Sequence, residues 1–240
     1  MNIFENIGIA YDELRIAHQI VVDSLMAVVK ERNFNLKILD VGCGSGKYAE
    51  CIAVSSGIEV HCIDSSRNLL NVAKNKNGLI TNLVDCNKAL PFPDDQFGLT
   101  YNVNFIHFIV DIQQFYAEQY RILENKGIVF TATHSEQDFK SQSMGYYFPE
   151  SIKIEMNKTP SIKEIIEAMR TVGFKDIRIN TITDSLSIDP LFLNACQAKV
   201  FSCLHEISEL SYSKGVKKIE QDMAKGVKGS VNYSIIRGEK

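Results

Sequence analysis

The stretch ILDVGCGSGKYAE, residues 38–50, joins an apolar run to an amphipathic run through three glycines at alternate positions. The apolar run 37–41 has the composition of a buried strand, and the pattern from Lys47 onward is typical of a helix. A glycine-rich turn between a strand and a helix lets a ligand approach the backbone beside the helix N-terminus. The stretch therefore indicates either a site for a nucleotide-like cofactor or a turn built for tight packing.

Apolar runs alternate with helical patterns along the first 135 residues. An amphipathic helix is predicted over residues 12–31, where apolar side chains recur at helical spacing. Strands alternating with helices imply βαβ units and a parallel sheet, which binds ligands at the carboxyl ends of its strands. After the first strand, strands are predicted at 58–63, 79–84, 97–105 and 127–134, and helices from Lys47, over 66–75 and over 111–123.

The pattern changes after His134. Residues 135–160 are polar and irregular, and a long segment of this kind often forms a cap over a functional site. A helix is predicted at 161–173, where Ser161 and Glu164 form a capping-box pattern. A strand at 174–182, two helices within 190–227 and a closing strand at 231–238 complete seven predicted strands.

Composition limits the classes of function. The 240 residues, 45% hydrophobic and 23% charged, suit one sizeable core in a globular protein. The net charge of −3 offers no basic excess for a nucleic acid. The N-terminus does not resemble a signal peptide, and no run approaches the ~18 apolar residues of a membrane span. We therefore expect a cytoplasmic protein with no nucleic-acid partner and no membrane span.

The six cysteines indicate neither a metal site nor disulfides. None forms a CxxC pair, and no group of histidines and cysteines has zinc-ligand spacing. Most lie in apolar runs, where cysteine behaves as a small hydrophobic residue. We therefore expect a reducing compartment and no bound metal. The cysteines are Cys43, Cys51, Cys62, Cys86, Cys196 and Cys203.

Aspartates end the first three predicted strands: Asp40, Asp64 and Asp85. A carboxylate accepts hydrogen bonds from two neighbouring ribose hydroxyls, so Asp64 suits the ribose of a nucleotide. The glycines run GxGxG, whereas a nicotinamide dinucleotide site has GxGxxG and no special use for Asp85.

With these motifs in order, the chain resembles the class I S-adenosylmethionine (SAM)-dependent methyltransferases, in the group that includes ubiquinone/menaquinone-type and other small-molecule enzymes. ILDVGCGSG resembles the first motif of the family, IDSS (63–66) the second, and VDCNKALPFPDDQFG (84–98) the third. YNVNFIHF (101–108) resembles the fourth-strand segment, and FENIGIAYDELR (4–15) the element that closes over SAM. The resemblance implies a Rossmann-like α/β fold with a seven-stranded, mostly parallel sheet flanked by helices, and a cap insertion after strand 5.

The resemblance also implies one methyltransferase domain over residues 1–240. Its expected parts are a helical segment closing over the cofactor (1–35), the SAM-binding core (36–135), the cap and substrate segment (136–160) and C-terminal helices and strands (161–240).

Roles for single residues follow from the resemblance. Gly42 and Gly44 are expected to let the backbone approach the methionine and ribose, and Asp40 to reach the methionine amino group. Asp64 takes the ribose hydroxyls, and Asp85 accepts from the adenine amino group. The full implied cofactor-binding set is Tyr11, Asp40, Gly42, Cys43, Gly44, Gly46, Asp64, Ser65, Leu69, Asp85, Cys86 and Asn102.

Each of these positions also has a simpler interpretation. The glycines can serve strand–helix packing, Asp64 can cap the following helix, Asp85 can be a turn aspartate, and Tyr11 can fix the first helix. Asn102, at the fourth strand, is expected beside the methionine moiety, where small residues are common in the family.

Two histidines are the candidate catalytic residues. His107 follows the fourth strand and His134 ends the fifth, where a substrate would meet the methyl group. A histidine of near-neutral pKa can take a proton from a hydroxyl or amine nucleophile, although core packing is the alternative for both. His18 is expected to face polar neighbours.

The aromatic residues Tyr146, Tyr147 and Phe148 of the predicted cap either stack on a flat substrate, beside His107, or anchor the cap. The expected reaction is in-line methyl transfer from SAM to a small aromatic or heterocyclic acceptor, at O, N or C. A non-catalytic SAM-binding regulatory subunit and an NAD-dependent oxidoreductase remain as alternatives.

Overall fold

A computed structural model of the chain describes residues 8–32 and 36–240. Seven strands in this part form one sheet in the order β3-β2-β1-β4-β5-β7-β6. Neighbouring strands from β3 to β5 are parallel, and β7 runs antiparallel to both β5 and β6. The predicted mostly parallel, seven-stranded α/β fold is therefore confirmed. The strands are β1 (Ile38–Val41), β2 (Val60–Asp64), β3 (Leu79–Leu83), β4 (Phe97–Val103), β5 (Leu123–Thr133), β6 (Lys175–Ser187) and β7 (Lys228–Glu239).

Helices cover both faces of this sheet. One 3₁₀ turn, Ile106–Phe108, follows β4, and another, Ser202–His205, follows α10. The α-helices of the described residues are α1 (Gly8–Leu14), α2 (Gln19–Glu31), α3 (Lys47–Ser56), α4 (Arg67–Ala73), α5 (Ile112–Ile122), α6 (Glu136–Ser141), α7 (Ser143–Tyr147), α8 (Pro149–Lys158), α9 (Ile162–Val172), α10 (Pro190–Gln197) and α11 (Glu209–Ala224).

The alternation of side chains along the central strands divides the core between the two faces. Ile38 packs with Leu25 of α2 and Ile52 of α3 on one face. The next residue, Leu39, packs with side chains of α5 and α9 on the other face. Ile38 and Leu39 are both fully buried, although they face opposite sides of the sheet. For this reason β1 has a run of apolar residues in the sequence and not an alternation of apolar and polar ones.

The predicted helix over 12–31 is wrong as a single element, because residues 15–18 are not helical. The chain leaves the helix here to make tertiary contacts. The backbone N–H of His18 donates to the hydroxyl of Tyr48 at 3.2 Å, and its ring packs against Tyr233 with centroids 5.6 Å apart. His18 therefore lies against the interior, where Arg15 and Asp184 are among its neighbours. Part of the expected closing segment, residues 1–7 and 33–35, lies outside the described residues.

The predicted irregular segment after β5 is also wrong in detail, since it folds into α6, α7 and α8. These helices have five to ten residues, too short for apolar periodicity to appear in the sequence. A capping box between Ser135 and Asp138 starts α6, and the predicted capping box of Ser161 and Glu164 starts α9. We call residues 136–160 the cap. Its apolar side chains pack on α10 and α11 in a third cluster that includes Phe148.

Candidate functional site

A cavity of about 790 Å³ lies at the carboxyl end of the parallel strands. Its walls come from the turns after β1, β2 and β4, from the end of β5, from residues 15–18 and from the cap. Natural small-molecule sites have ~300–1,000 Å³ and favour this edge of an open α/β sheet.

The three glycines of the turn after β1 all have positive φ, for different reasons. A Cβ on Gly42 would lie 2.0 Å from the ring of Phe105, and one on Gly46 would lie 2.7 Å from Leu79. These two glycines are therefore required by the packing of the protein itself, which corrects the expectation that Gly42 leaves room for the cofactor. A Cβ on Gly44 would meet only Leu69, at 3.8 Å, so this position borders open space in the cavity.

Asp64 holds this turn in place and also faces the cavity. Its Oδ2 accepts a hydrogen bond from the backbone N–H of Gly44, and its Oδ1 accepts one from Ser66, both at 2.8 Å. Burial raises the pKa of Asp64, and these N–H donors oppose the shift. Helix α4 is capped by the hydroxyl of Ser66 accepting from Leu69, so Asp64 is not needed as its cap. The backbone N–H of Ser65 is a third donor to this carboxylate, which leaves acceptor capacity for one further hydrogen bond to a ligand.

Asp85 and Cys86 line the cavity after β3. The backbone N–H of Asn87 donates to Oδ1 of Asp85 at 3.1 Å, and Lys88 forms an ion pair with its Oδ2 at 3.3 Å. The hydrogen bond from Asn87, followed by the contribution of Lys88, lowers the pKa of Asp85. This rim position therefore carries an ionised carboxylate. Tyr11, Cys43, Ser65 and Leu69 of the expected cofactor set also line the cavity.

Three residues of the expected cofactor set do not line the cavity: Asp40, Gly46 and Asn102. Asp40 is buried within β1, and burial raises its pKa to about 8. Asn102 is fully buried within β4, and its Nδ2 donates to the hydroxyl of Thr131 at 3.0 Å. The expected contact of Asn102 with a cofactor is therefore corrected, because its side chain lies inside the sheet. Asp40 would reach a cofactor only through water.

Asn104 lines the cavity, whereas Asn102 does not. It follows the last residue of β4 in a left-handed conformation, φ 52°, which asparagine tolerates better than most residues. Its Nδ2 donates to the hydroxyl of Tyr233 at 3.0 Å, and its buried Oδ1 has no hydrogen-bond partner within the described chain. The sequence has two asparagines at alternate positions near the end of this strand. Only the position at which the strand ends, Val103, decides which of them lines the cavity.

Three histidines line the cavity: His18, His107 and His134. Burial lowers the pKa of each to about 4, so all three are neutral at physiological pH. Nδ1 of His134 lies 2.7 Å from the carbonyl oxygen of Asn232. A carbonyl only accepts, so Nδ1 carries the proton and Nε2 is the acceptor atom of this ring.

The aromatic residues expected to bind substrate lie elsewhere. Tyr147 and Phe148 are buried beneath the cap, and Tyr146 is exposed, with the ammonium of Lys218 3.4 Å from its ring centroid. None of the three lines the cavity, so they anchor the cap and its surroundings. The aromatic residues that do line the cavity are Tyr11, Tyr48, Phe105, Phe108, Phe139, Phe192, Phe201 and Tyr233.

Five charged residues of the cavity were missed in the sequence, among them Arg15 and Glu155; the others are Lys47, Asp184 and Asp189. Arg15 lies in the break between α1 and α2, and Glu155 on α8 of the cap. The break had been predicted as helix and the cap as an irregular segment, so there was no reason in the sequence to place these two side chains in a site. Over residues 8–32 and 36–240, no group of three or more metal-ligating side chains occurs, and no helix has the length and apolar character to cross a membrane.

Comparison with known proteins agrees with this geometry. A family profile described as a methyltransferase domain matches residues 39–131, from β1 into β5. A ubiquinone biosynthesis O-methyltransferase of Pelagibacter ubique is 31% identical over 102 residues, which are 41% of this chain and 42% of that protein. A malonyl-[acyl-carrier protein] O-methyltransferase of Buchnera aphidicola is 22% identical over 200 residues, covering 83% of this chain and 75% of the relative.

Among solved structures, a protein of Anabaena variabilis described as a methyltransferase from an antibiotic biosynthesis pathway superposes with a TM-score of 0.73. It is 16% identical, and the match covers 94% of this chain and 99% of the other, so it shows a shared fold. The matched motifs, the strand order and these relatives lead to one conclusion. Residues 39–131 of the chain form a methyltransferase domain, and the chain as a whole has the fold of class I S-adenosylmethionine-dependent methyltransferases.

Proposed function

We propose that this chain transfers a methyl group from SAM to a small-molecule acceptor held between the sheet edge and the cap. The observation that carries the proposal is that Asp64, Asn104 and His134 line one continuous cavity. Groups suited to a nucleoside and groups suited to an acceptor therefore face the same enclosed space.

The side chains present fit SAM. Asp64 would accept from a ribose hydroxyl, and Asp85 would accept from the adenine amino group. Oδ1 of Asn104, a buried acceptor with no described partner, would accept from the methionine ammonium group. Beside Gly44 the open wall leaves room for the ligand.

Bound SAM supplies a methyl group on a cationic sulfur; as the acceptor lone pair bonds to that carbon, the C–S bond breaks and its electrons leave with a neutral thioether. The chain has to align the acceptor and exclude water, and such positioning lowers a barrier by up to roughly 7–11 kcal/mol. The cap and residues 15–18 close the cavity for this purpose.

An acceptor atom that carries a proton has to lose it when it receives the methyl group. His134 offers Nε2 as a hydrogen-bond acceptor, and the backbone carbonyl of Asn232 holds its ring in orientation. Its pKa of about 4 makes it a weak base at neutral pH. We infer that His134 orients the acceptor and that the proton leaves to solvent, which suits an amine, or an acid that is ionised before transfer. The aromatic residues of the cavity wall favour an aromatic or other apolar body in the acceptor.

The test is a calorimetric titration of the protein with SAM, S-adenosylhomocysteine and NAD. We expect micromolar binding of the first two and none of NAD, with affinity lowered by roughly 1–3 kcal/mol in Asp64→Ala. Ser55→Ala, away from the cavity, serves as the matched control. Binding of NAD alone would favour an oxidoreductase, and binding of none would contradict the proposed site.

Turnover separates an enzyme from a SAM-binding regulatory subunit. Wild-type protein is incubated with SAM and a panel of amines, phenols and carboxylic acids, and S-adenosylhomocysteine is quantified. Product above that of Asp64→Ala supports methyl transfer. Tight SAM binding with no product across the panel favours the regulatory alternative.

A further inference from the structure

Arg15 places a guanidinium group in the wall of the cavity. It lies 4.7 Å from the ring centroid of Phe201, next to the helices that support the cap, and 5.8 Å from that of Tyr11 in α1. Cation–π contacts of this kind hold a guanidinium in place. A side-chain hydrogen bond with Tyr11 uses part of its donor capacity, and a guanidinium has five N–H donors in all. The group is therefore fixed between the N-terminal segment and the cap.

No carboxylate of the described residues lies within 4 Å of this guanidinium. By contrast, Arg121 and Arg237 both pair with carboxylates. Lys47 also lines the cavity, but its ammonium lies 3.5 Å from Asp12. A cation that lines a cavity with no carboxylate within 4 Å is suited to an anionic ligand. A guanidinium matches carboxylate or phosphate with two parallel hydrogen bonds.

The charge of Arg15 acts at the acceptor end of the cavity. Burial is the largest cause of the lowered pKa values of His107 and His134, and Arg15 contributes to both. The pKa values of Asp64 and Asp85, where the nucleoside would lie, receive no contribution from it. Arg15 also interacts with Tyr233, whose hydroxyl accepts from Asn104. It therefore lies between the methionine end of the proposed cofactor site and the histidines that would face the acceptor.

Apolar side chains make up much of the cavity wall, which Asp184 and Asp189 also line. The apolar side chains include Met144, Ile152, Leu186, Phe192 and Val200. The one acid of the cap that lines the cavity, Glu155, has its pKa raised by burial and forms a hydrogen bond with the thiol of Cys203. A cation without a carboxylate within 4 Å, in a wall rich in apolar side chains, suits a ligand with an anionic group and an apolar body.

We propose that Arg15 binds a carboxylate or phosphate group of the methyl acceptor, so that the acceptor is an organic anion with an apolar body. This rests on the proposed function for the presence of an acceptor, but the anion site can be tested without turnover. The methionine carboxylate of the cofactor has the same chemistry, so the experiment has to separate the two sources.

The probes are 4-phenylbutyrate and its uncharged analogue 4-phenylbutanamide, titrated by calorimetry into the protein with and without saturating S-adenosylhomocysteine. We expect the wild-type protein to prefer the acid by about ten- to a hundredfold, the range for charge-assisted hydrogen bonds. Arg15→Gln should abolish this preference and change the affinity for S-adenosylhomocysteine by less than about threefold. Lys47→Gln, which removes a paired cation from the same cavity, should keep the preference.

Two results would overturn the proposal. Equal binding of acid and amide to the wild-type protein, or of neither, would show that no anion is selected. A loss of S-adenosylhomocysteine affinity of about tenfold or more in Arg15→Gln, with the preference intact, would assign the guanidinium to the cofactor. Arg15→Lys keeps the charge without the planar fork and should retain part of the preference, and an unchanged thermal midpoint shows that each variant folds. Failure of the wild-type protein to bind S-adenosylhomocysteine would contradict the proposed function, separately from the anion preference measured without it.

Discussion

Nδ2 of Asn104 donates a hydrogen bond to the hydroxyl of Tyr233 at 3.0 Å, which joins the end of β4 to β7. Because this bond uses the NH₂ end of the amide, the acceptor end is fixed as Oδ1, buried and with no partner in the described part of the chain. The contact with β7 therefore determines that the unpaired group of Asn104 is an acceptor oxygen and not an NH₂ donor.

We expect Asn104→Ala to weaken binding of S-adenosylhomocysteine by about 1.5–3 kcal/mol, the range for a hydrogen bond to a charged group. Tyr233→Phe removes only the hydroxyl that orients the amide, so its effect should be smaller. Calorimetric titration of both variants checks this, and equal affinities for Asn104→Ala and the wild-type protein would contradict the assigned role.

Alanine substitutions of Gly42 and Gly44, in the turn after β1, should have different effects on stability and on cofactor binding. Gly42→Ala places a Cβ against Phe105 in a left-handed conformation, so it should cost about 2–5 kcal/mol of unfolding free energy. Gly44→Ala meets no such clash and should cost only about 1–2 kcal/mol, but its methyl group occupies the wall of the cavity and should reduce cofactor affinity. Denaturant unfolding and calorimetry measure the two effects. A stable Gly42→Ala would show that Phe105 moves aside.

The cavity histidines should make the protein less stable in acid. His107 and His134 have pKa values of about 4, compared with 6.5 for an unperturbed histidine, so the unfolded chain binds more protons between these values. The unfolding free energy attributable to each should therefore fall as pH drops from 6.5 towards 4, by up to about 1.4 kcal/mol per pH unit. Urea unfolding of the wild-type protein and His107→Gln across this window tests the slope. The variant should lose stability less steeply, and parallel curves would exclude the effect for His107.

Asp40 should have the opposite effect to the histidines: its contribution to the unfolding free energy should decrease as pH rises above 3.8. Its buried carboxyl stays protonated up to a pKa of about 8, whereas the unfolded chain ionises it near 3.8. The stability it contributes is complete below 3.8 and is lost as pH rises to about 8. Asp40→Asn removes this titration, so the stability of the variant relative to wild type should increase with pH up to about 8. A constant difference between the two proteins would contradict a raised pKa.

His107→Ala should lower turnover and leave SAM affinity almost unchanged, since His107 lines the cavity beyond the groups that suit the cofactor. Because its ring packs against Phe108 at 4.0 Å, His107→Phe serves as a control that keeps the packing. A loss of SAM binding in either variant would indicate that His107 supports the fold of the cofactor site.

Local patterns predicted those parts of the fold and site that depend on neighbours in sequence. The apolar run of β1, the glycine turn and the acids that end β2 and β3 were each readable, because strand ends and tight turns require particular residue types. The helices of the cap were not readable, since segments of five to ten residues show too little periodicity. The break before α2 was also hidden, because its cause is the contact of His18 with Tyr48 and Tyr233.

The sequence by itself determined the α/β class, the seven strands and the position of Asp64 at the edge of the sheet, because strand alternation and glycine turns are local properties. Only the tertiary structure decided which side chains enter the cavity. Asn104 enters it and Asn102 does not, because β4 ends between them. Arg15 meets Phe201 only when the N-terminal segment folds over the helices near the cap. Such contacts join residues far apart in the chain, and no local pattern encodes them.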